Sequence, residues 1–346
     1  MLTPKENMRE TIRGGKPNRF VNQFEAIQIL PHPYLMFNPG VEKGGPDVVN
    51  PWGITTSFPE NVPGQFPVHT KEKIVVKDIE NWQDYVKAPP LKFTDEQWAI
   101  CKGIYDSVDG SKSYKATFVA PGLFEQTHHL CEITNALEYY LTNPDEMHDM
   151  IKVLKDWELE LAEGICTHLK PDAIFHHDDW GSEISTFLRP EMFAEFFLEP
   201  YKEIYKYYHD HGVEFIFHHN DAYSATIVPY MIEMGIDVWQ GCMASNDVPA
   251  LIKQYGDKIT FMGSIDNKFV DFTGWTQDDV HNVVHRILDE VGDPKYFIPC
   301  ITQGGPGSLY KGTYKALVDE IDKYNIEKFG LQESDLDRLP LQIMFE

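Results

Sequence analysis

The sequence predicts an α/β protein folded as a single (β/α)₈ barrel, with an N-terminal extension and a loop or hairpin insertion over the barrel mouth. From residue 114 onward, short apolar runs alternate with longer amphipathic stretches, as parallel strands alternate with helices. The runs are apolar throughout, which is typical of strands buried on both faces. About eight such units fit the 346 residues, which we expect to form one domain over residues 1–346.

The elements of the N-terminal third are less regular. The sequence predicts a helix at residues 5–14 and a first strand at residues 19–24. Many glycine and proline residues, together with Trp52, lie between residues 39 and 69, and this composition favours the looped or hairpin insertion. A second helix is predicted at residues 95–108.

Strand–helix units then follow with little interruption. The long predicted helix at residues 190–211 carries Pro200, at which we expect a break. A doubly wound sheet is the alternative architecture, but its glycine-rich phosphate turn after the first strand is missing from the sequence. The predicted strands are residues 114–119, 173–177, 213–218, 237–241, 259–263 and 296–300, and the helices are residues 124–169, 190–211, 226–234, 248–255, 276–291 and 310–324.

Composition excludes several classes of partner. The formal net charge of −24 makes nucleic acid an unsuitable ligand and disfavours an anionic membrane surface. No run approaches the roughly 20 apolar residues that cross a bilayer. The five cysteines are odd in number and form no Cys-x-x-Cys pair, so we expect no disulfide framework and a cytoplasmic location.

Side chains capable of catalysis concentrate where the predicted strands end, which is where barrel enzymes place their active sites. His176 and His218 alternate with apolar neighbours, which favours a structural role for both. Cys300 has an alternative as a small core residue, and an aspartate at a strand end can simply cap a loop. The residues at these ends with catalytic chemistry are His177, Asp178, Asp179, Glu183, His219, Asp221, Tyr223 and Cys300.

A metal site is one of two open interpretations of these strand ends, the other being purely structural. Catalytic zinc takes histidine, carboxylate and thiolate ligands and keeps one open position. No compact His-Glu-x-x-His motif is present. The candidate ligands by residue type and placement are Glu183, Glu199, His219, Asp221 and Cys300.

Four landmarks along the chain carry a resemblance to a known family. They are Lys-Glu-Asn-Met-Arg at residues 5–9, Pro-Glu-Met-Phe at 190–193 with Pro-Tyr-Lys at 200–202, Gly-Ile-Asp at 235–237, and Phe-Met-Gly-Ser-Ile-Asp at 261–266. In their order and spacing, the chain from about residue 8 to residue 324 resembles the uroporphyrinogen decarboxylase superfamily. That superfamily comprises the decarboxylase and corrinoid-linked methyltransferases, all of them (β/α)₈ barrels.

The details of the resemblance favour a methyltransferase. The decarboxylase holds its polycarboxylate substrate with arginines near the N-terminus, whereas this chain has only six arginines and no arginine-rich segment after Arg19. Methyltransferases that act on coenzyme M bind zinc with His-x-Cys after the fifth strand and a further Cys after the eighth. Here His219 is followed by Asp221 in place of the first Cys, and Cys300 stands at the second position. Oxygen in place of sulfur makes a harder metal site, which suits an ether oxygen better than a thiolate.

The resemblance therefore implies the first methyltransferase of an O-demethylase system. Such an enzyme moves the methyl group of a methoxylated arene to the Co(I) of a separate corrinoid protein, with zinc activating the ether oxygen. The chain has no Asp-x-His-x-x-Gly motif of its own, so cobalamin is expected on a partner that docks over the mouth, near residues 39–65. Methyl transfer from a corrinoid protein to a thiol, and decarboxylation, are the alternatives.

The same resemblance implies roles for individual residues. Two acidic residues followed by a histidine match Glu183, Glu199 and His219 as metal ligands, with Asp178, Asp179, Asp221 and Cys300 as substitutes. The candidate proton donors are His177, Asp178, Asp179 and Tyr223. The aromatic residues expected to line the ring-binding slot are Trp52, Phe124, Trp180, Tyr223 and Tyr310.

Overall fold

The structure, a computed structural model, describes residues 1–38, 40–62, 64–304 and 307–336. Within these ranges the strands are β1 (Ile27–Leu30), β2 (Val48–Val49), β3 (Thr55–Ser57), β4 (Phe66–Pro67), β5 (Tyr114–Val119), β6 (Ala173–His177), β7 (Phe215–His219), β8 (Val238–Cys242), β9 (Thr260–Ile265) and β10 (Phe297–Ile301). The α-helices are α1 (Pro4–Arg13), α2 (Pro33–Phe37), α3 (Asp95–Ser107), α4 (Leu123–Cys131), α5 (Ile133–Thr142), α6 (Pro144–His168), α7 (Pro190–Phe193), α8 (Glu199–Asp210), α9 (Val228–Met234), α10 (Val248–Tyr255), α11 (Asn267–Val270), α12 (Gln277–Val291) and α13 (Thr313–Phe329).

One parallel sheet organises the molecule, with seven strands among the described residues in the order β1-β5-β6-β7-β8-β9-β10. Helices separate the strands from β5 onward, as parallel connections require. The two edges meet through the turn at residues 23–26: the Gln23 amide donates to the Pro299 carbonyl (3.2 Å), and the Ala26 carbonyl accepts from the Tyr114 amide (2.8 Å). The predicted α/β, TIM-barrel-like fold is confirmed.

The predicted first strand at residues 19–24 is wrong. The Arg19 guanidinium bonds the Glu25 carboxylate (3.0 Å), and Gln23 has a positive φ of 52°. Both features bend this segment into a turn, so that regular pairing begins only at Ile27, opposite Tyr114. The segment nevertheless lies beside β10, because the Gln23 side chain accepts from the Ile301 amide (3.1 Å).

The insertion between β1 and α3 forms a small antiparallel sheet of its own, β2-β3-β4. Trp52, in the turn between β2 and β3, packs edge-on against Trp157 of α6 with ring centroids 5.1 Å apart. Insertion residues share a cavity wall with Phe118 and Leu123, at the C-terminal end of β5. The predicted hairpin insertion over the barrel mouth is therefore confirmed.

Helix α8 continues the predicted helix at 190–211 without the expected break. A π-helical turn at Ala194–Leu198 leads directly into α8, and Pro200 occupies its first turn, where the missing amide is not needed. Elsewhere the six strands predicted from residue 114 onward are all present. Among the described residues no helix is both long enough and apolar enough to cross a bilayer.

Candidate metal centre and adjoining cavity

Strands β6 and β7 each end in two consecutive histidines, at the barrel mouth. The register of the two strands pairs His176 with His218 and His177 with His219. Because successive strand residues face opposite sides of a sheet, one pair faces the surrounding helices and the other faces the barrel interior. His177 and His219 form the interior pair, with rings stacked at 4.5 Å between centroids.

Two aspartates that follow these strands complete a group that we call the mouth cluster: His177, Asp179, His219 and Asp221. Nε2 of His219 lies 3.9 Å from Oδ1 of Asp179 and 3.7 Å from Oδ2 of Asp221. Nε2 of His177 lies 3.9 Å from Oδ2 of Asp179. One ligand atom from each of His177, Asp179 and His219 falls within 4.8 Å of the others, which is close enough to share one cation.

Hydrogen bonds on the far side of each imidazole leave Nε2 free to bind a cation. Nδ1 of His177 donates to Oε2 of Glu125 on α4 (2.8 Å), and Nδ1 of His219 donates to Oε1 of Gln240 on β8. In the neutral form of each ring the proton therefore lies at Nδ1, and the lone pair of Nε2 faces the aspartates. Histidine ligands of metals are normally oriented by such outer partners. The donor set of two imidazole nitrogens and carboxylate oxygens is therefore one that fits zinc.

The electrostatics of the mouth cluster are those of a site built to hold positive charge. Burial alone would favour neutral imidazole, but Glu125, Asp179 and Asp221 outweigh it and raise the pKa of His177 to about 10. The pKa of His219 is also raised, against burial and the neighbouring His177, by Asp221 and Asp179. Burial and the charge of Asp179 raise the pKa of the Asp221 carboxyl. A divalent cation can replace the proton held here.

Asp178, a predicted proton donor, lies behind the mouth cluster, and burial together with the charge of Glu125 raises the pKa of its carboxyl to about 7. It is fully buried, and its carboxylate accepts from the Phe124 and Glu125 amides (3.0 and 2.7 Å) at the start of α4. It also accepts from Nε1 of Trp180 (2.7 Å) and from the Tyr201 hydroxyl. These bonds cap α4 and place Glu125 against His177, so Asp178 is a positioning residue.

Glu183 and Glu199, predicted as metal ligands, lie outside the mouth cluster. Their side chains are 63% and 70% exposed and pair with Lys268 and Lys202 respectively. Glu199 stays on the outer surface because the helix runs through Pro200 instead of breaking there. Neither glutamate belongs to any group of potential metal ligands among the described residues.

Cys300 lies behind the cluster, not in it. Its sulfur is 3.9 Å from Nε2 of Gln240, whose other end bonds His219. Burial raises the pKa of the Cys300 thiol far above its ordinary value, which disfavours the thiolate that a metal requires. Of the five predicted ligands, the structure thus brings His219 and Asp221 together.

The aromatic residues predicted to line the slot occupy different environments. Phe124 and Trp180 are each only 1% exposed: Phe124 packs on Phe187, and Trp180 stacks on His218 at 4.0 Å. They belong to the core, because the side chains turn toward helices instead of toward the mouth. Tyr223 is half-buried in the loop after β7, and the exposed Tyr310 bonds the Thr273 hydroxyl.

Trp52 lines a cavity of about 170 Å³ that we call the insertion cavity. It lies beneath the insertion, against the ends of β1 and β5, and Tyr34 and Trp157 pack edge-on with centroids 5.0 Å apart in its wall. Phe118 separates it from the mouth cluster, with its ring centroid 6.4 Å from that of His177.

Sequence reasoning did not identify Glu125 or Gln240. Gln240 offered a signal, since it is a polar residue inside the otherwise apolar run of β8. Glu125 offered none, because α4 follows a different strand from those that carry the histidines.

Two other groups of potential ligands occur in the described chain, Glu125–His128–His129 and His281–His285–Glu320. In the second group, His281 and His285 both bond Oε1 of Glu320 (2.7 and 2.9 Å), so the three side chains already satisfy one another.

Comparisons with known proteins agree with this architecture. The fold is similar to that of a methyltransferase from Methanosarcina mazei, with a TM-score of 0.67 and 12% identity over 94% of this chain and 99% of that one. No curated protein sequence matches the chain. Residues 49–324 match the family model described as uroporphyrinogen decarboxylase (URO-D). Since the matched residues make up most of the chain, the chain belongs to the uroporphyrinogen decarboxylase family.

Proposed function

We propose that the protein is a corrinoid-dependent methyltransferase that removes the methyl group from a methoxylated arene. The observation that carries this proposal is the mouth cluster, which has two imidazoles with oriented Nε2 atoms, two carboxylates and no thiolate. It lies beside a cavity whose wall includes Trp52, Phe118 and Trp157. The structural likeness to a methyltransferase supports the fold on which such a site is built.

The mouth cluster fits a zinc ion in the proposed role. His177, Asp179 and His219 would hold it, with Asp221 beside His219. When bound, zinc supplies Lewis-acid polarisation of an ether oxygen. Nitrogen and oxygen ligands keep that acid hard, which favours an oxygen substrate over a thiolate.

The surrounding residues prepare the site before substrate arrives. Glu125 and Gln240 hold the imidazoles in the tautomer that ligation needs. The Asp221 amide donates to Oδ1 of Asp179 (2.9 Å) and fixes that carboxylate in place. Pre-positioned groups of this kind lower the cost of reaching the transition state, because little reorganisation remains.

The overall reaction balances with one proton. The bond between the ether oxygen and the methyl carbon breaks. The acceptor Co(I) supplies the electron pair for the new bond between cobalt and that carbon. The phenolate leaves and takes a proton from water. A phenolate is a weak leaving group, so stabilisation of its developing charge at the mouth cluster is the main contribution expected of the enzyme.

The alternatives fit the site less well. The decarboxylase holds its polycarboxylate with arginines near the N-terminus, but here Arg19 is buried against Glu25, Arg9 bonds Glu214 (2.6 Å) and Arg13 packs over the Phe215 ring. A thiol acceptor is best activated by a sulfur-rich site, and Cys300 is held away from the cluster by Gln240. The corrinoid acceptor is proposed to reside on a partner protein that docks at the mouth, beside the insertion.

The test is methyl transfer to free cob(I)alamin as a surrogate acceptor. The zinc-loaded protein is incubated anaerobically with a methoxyarene, and methylcobalamin and the free phenol are quantified in equal amounts. His219→Ala should abolish both products and the bound zinc, whereas His211→Ala, at an exposed position far from the mouth, serves as the matched control. Methyl transfer at the wild-type rate in His219→Ala would refute the assignment.

A further inference from the structure

Helix α4 carries three potential metal ligands of its own, Glu125, His128 and His129, which we call the helix cluster. Residues three and four positions apart lie on the same side of an α-helix. The Glu-x-x-His spacing is also one by which helical metal proteins direct two ligands toward one ion. One ligand atom from each of the three side chains falls within 4.8 Å of the others, so all three can reach a single cation.

The ligand atoms of the helix cluster are largely unused within the fold. Among the described residues, no hydrogen bond involves a ring nitrogen of His128 or His129, whose rings contact each other edge-on with centroids 4.7 Å apart. The Glu125 carboxylate accepts from Nδ1 of His177 at one oxygen, Oε2. The group formed by His281, His285 and Glu320 differs, because both of its rings already bond the glutamate.

The helix that carries this cluster is fixed at both ends. At its start, the Asp178 carboxylate accepts from the Phe124 and Glu125 amides. Near its end, Nε2 of His69, in the loop after β4, donates to the His129 carbonyl (3.0 Å). The three ligand side chains are half-buried, so a cation can reach them from solvent without unfolding of the helix. Little reorganisation is therefore needed to bind one.

We infer that the helix cluster binds a second zinc ion beside the mouth cluster, with Glu125, His128 and His129 as its protein ligands. Two imidazoles and one carboxylate are an established ligand set for zinc and leave one coordination position open to water. The inference goes beyond the proposed function, because this site requires neither a methoxyarene nor a corrinoid.

Zinc should bind the helix cluster more weakly than the mouth cluster. Glu125 and Gln240 orient the imidazoles of the mouth cluster, whereas within the described chain no such partner orients His128 or His129. Partners of this kind typically contribute about 10- to 100-fold to metal affinity. Gel filtration in zinc-free buffer should therefore remove the second ion, so that metal analysis after this step counts the zinc of the mouth cluster alone.

The experiment is equilibrium dialysis of the full-length protein against zinc, without substrate, followed by metal analysis. We expect two zinc ions per chain at saturation and one after gel filtration. His128→Ala and His129→Ala should each weaken binding of the second ion by at least about tenfold, because a ligand is lost. His211→Ala, at an exposed position, is the matched control and should keep both ions. Saturation of the wild-type protein at one zinc, or a second ion unaffected in both variants, would overturn the inference.

Histidine ring NMR of the wild-type protein locates the second ion even if a variant does not fold. The second equivalent of zinc should shift the ring signals of His128 and His129 and leave those of His281 and His285 unchanged. Any other pattern would refute the assignment.

The second ion can also be tested separately from the proposed function. His219→Ala should lose methyl transfer and the zinc that survives gel filtration, yet still take up one zinc in dialysis at the helix cluster. Failure of this uptake would remove the second site, whereas failure of methyl transfer in the wild-type protein would remove only the demethylase.

Discussion

Two pairs of adjacent histidines, His176–His177 on β6 and His218–His219 on β7, show how one strand position separates two roles. His176 and His218 face the helices, where Nε2 of His176 bonds Glu158 (2.8 Å) and Nδ1 of His218 accepts from the Tyr205 hydroxyl (2.7 Å). His177 and His219 face the barrel interior and the aspartates of the mouth cluster.

The two pairs differ in how many ring nitrogens already have a hydrogen-bond partner within the fold. The second nitrogen of His218 donates to the Asp178 carbonyl (3.2 Å), so both of its nitrogens are used within the fold. Nε2 of His219 instead stands 3.7 Å and more from carboxylate oxygens, too far for a hydrogen bond. His176 and His218, the outward pair, therefore form a structural network. In His177 and His219, the inward pair, Nε2 makes no hydrogen bond within the fold and can bind a ligand.

The largest effect is expected at the inward pair. His219→Ala removes a proposed ligand whose Nε2 is already oriented, so we expect bound zinc to be lost and methyl transfer to fall by about 10³-fold or more. Metal analysis and the cob(I)alamin assay measure the two effects. Retention of about one zinc per chain in this variant would break the comparison by showing that the inward pair is not a ligand pair.

The outward pair should respond in stability instead. His218→Ala leaves a cavity beneath Trp180 and an unpaired Tyr205 hydroxyl, so we expect a loss of about 3 kcal/mol in the free energy of unfolding. Urea denaturation measures it, and Tyr205→Phe, which removes only the hydroxyl, should cost about 1 kcal/mol. If His218→Ala lost zinc while keeping its stability, the division of roles would be wrong.

A smaller effect on zinc affinity is expected at Gln240, which contacts the mouth cluster through His219. Gln240→Met keeps the side-chain length but removes the acceptor for His219, which should weaken zinc binding by about 10- to 100-fold in competition with a chelator. Cys300→Ser is the matched test of the layer beyond, and we expect zinc affinity to change by less than about threefold. A larger loss of zinc affinity in Cys300→Ser would indicate that the Cys300 thiol is a zinc ligand.

The pairs should also differ in how they titrate in the metal-free protein. Burial and the neighbouring His176 lower the pKa of His218 well below its ordinary value, so its stabilising contribution is present above about pH 6.5 and is lost as the pH falls. The pKa of His177 is raised to about 10, chiefly by Glu125 against the opposing effect of burial. Its contribution is complete below about pH 6.5 and is lost as the pH rises toward 10.

Histidine ring NMR measures this difference. At pH 7 we expect a neutral His218 and a charged His177, and zinc binding should strengthen as the pH rises because the proton on His177 must leave. Identical titration of the two rings would contradict the separate roles.

Much of the barrel follows from the sequence, because each buried strand from residue 114 onward is a short apolar run between turn signals. The alternation within those runs also indicated that His176 and His218 are structural, which their buried bonds confirm. The first strand was mispredicted, because the Arg19–Glu25 ion pair and the backbone of Gln23 impose a turn that no periodicity reveals.

The candidate site was only partly predictable. His219 and Asp221 follow one strand, so placement alone identified them. Glu183 and Glu199 were chosen by their spacing along the chain, which does not say whether a side chain faces the mouth or the solvent. Glu125 and Gln240 reach the cluster from other units, and their roles depend on the register between units.

Asp178 gives the molecule a mechanical link between its helical shell and its centre. One buried carboxylate ties the end of β6 to the first turn of α4, and that same turn carries Glu125, which grips His177. The position of α4 and the hydrogen bond at Nδ1 of His177, the residue immediately before Asp178, therefore depend on the same carboxylate. A displacement of this helix relative to β6 would therefore also change the surroundings of the His177 ring.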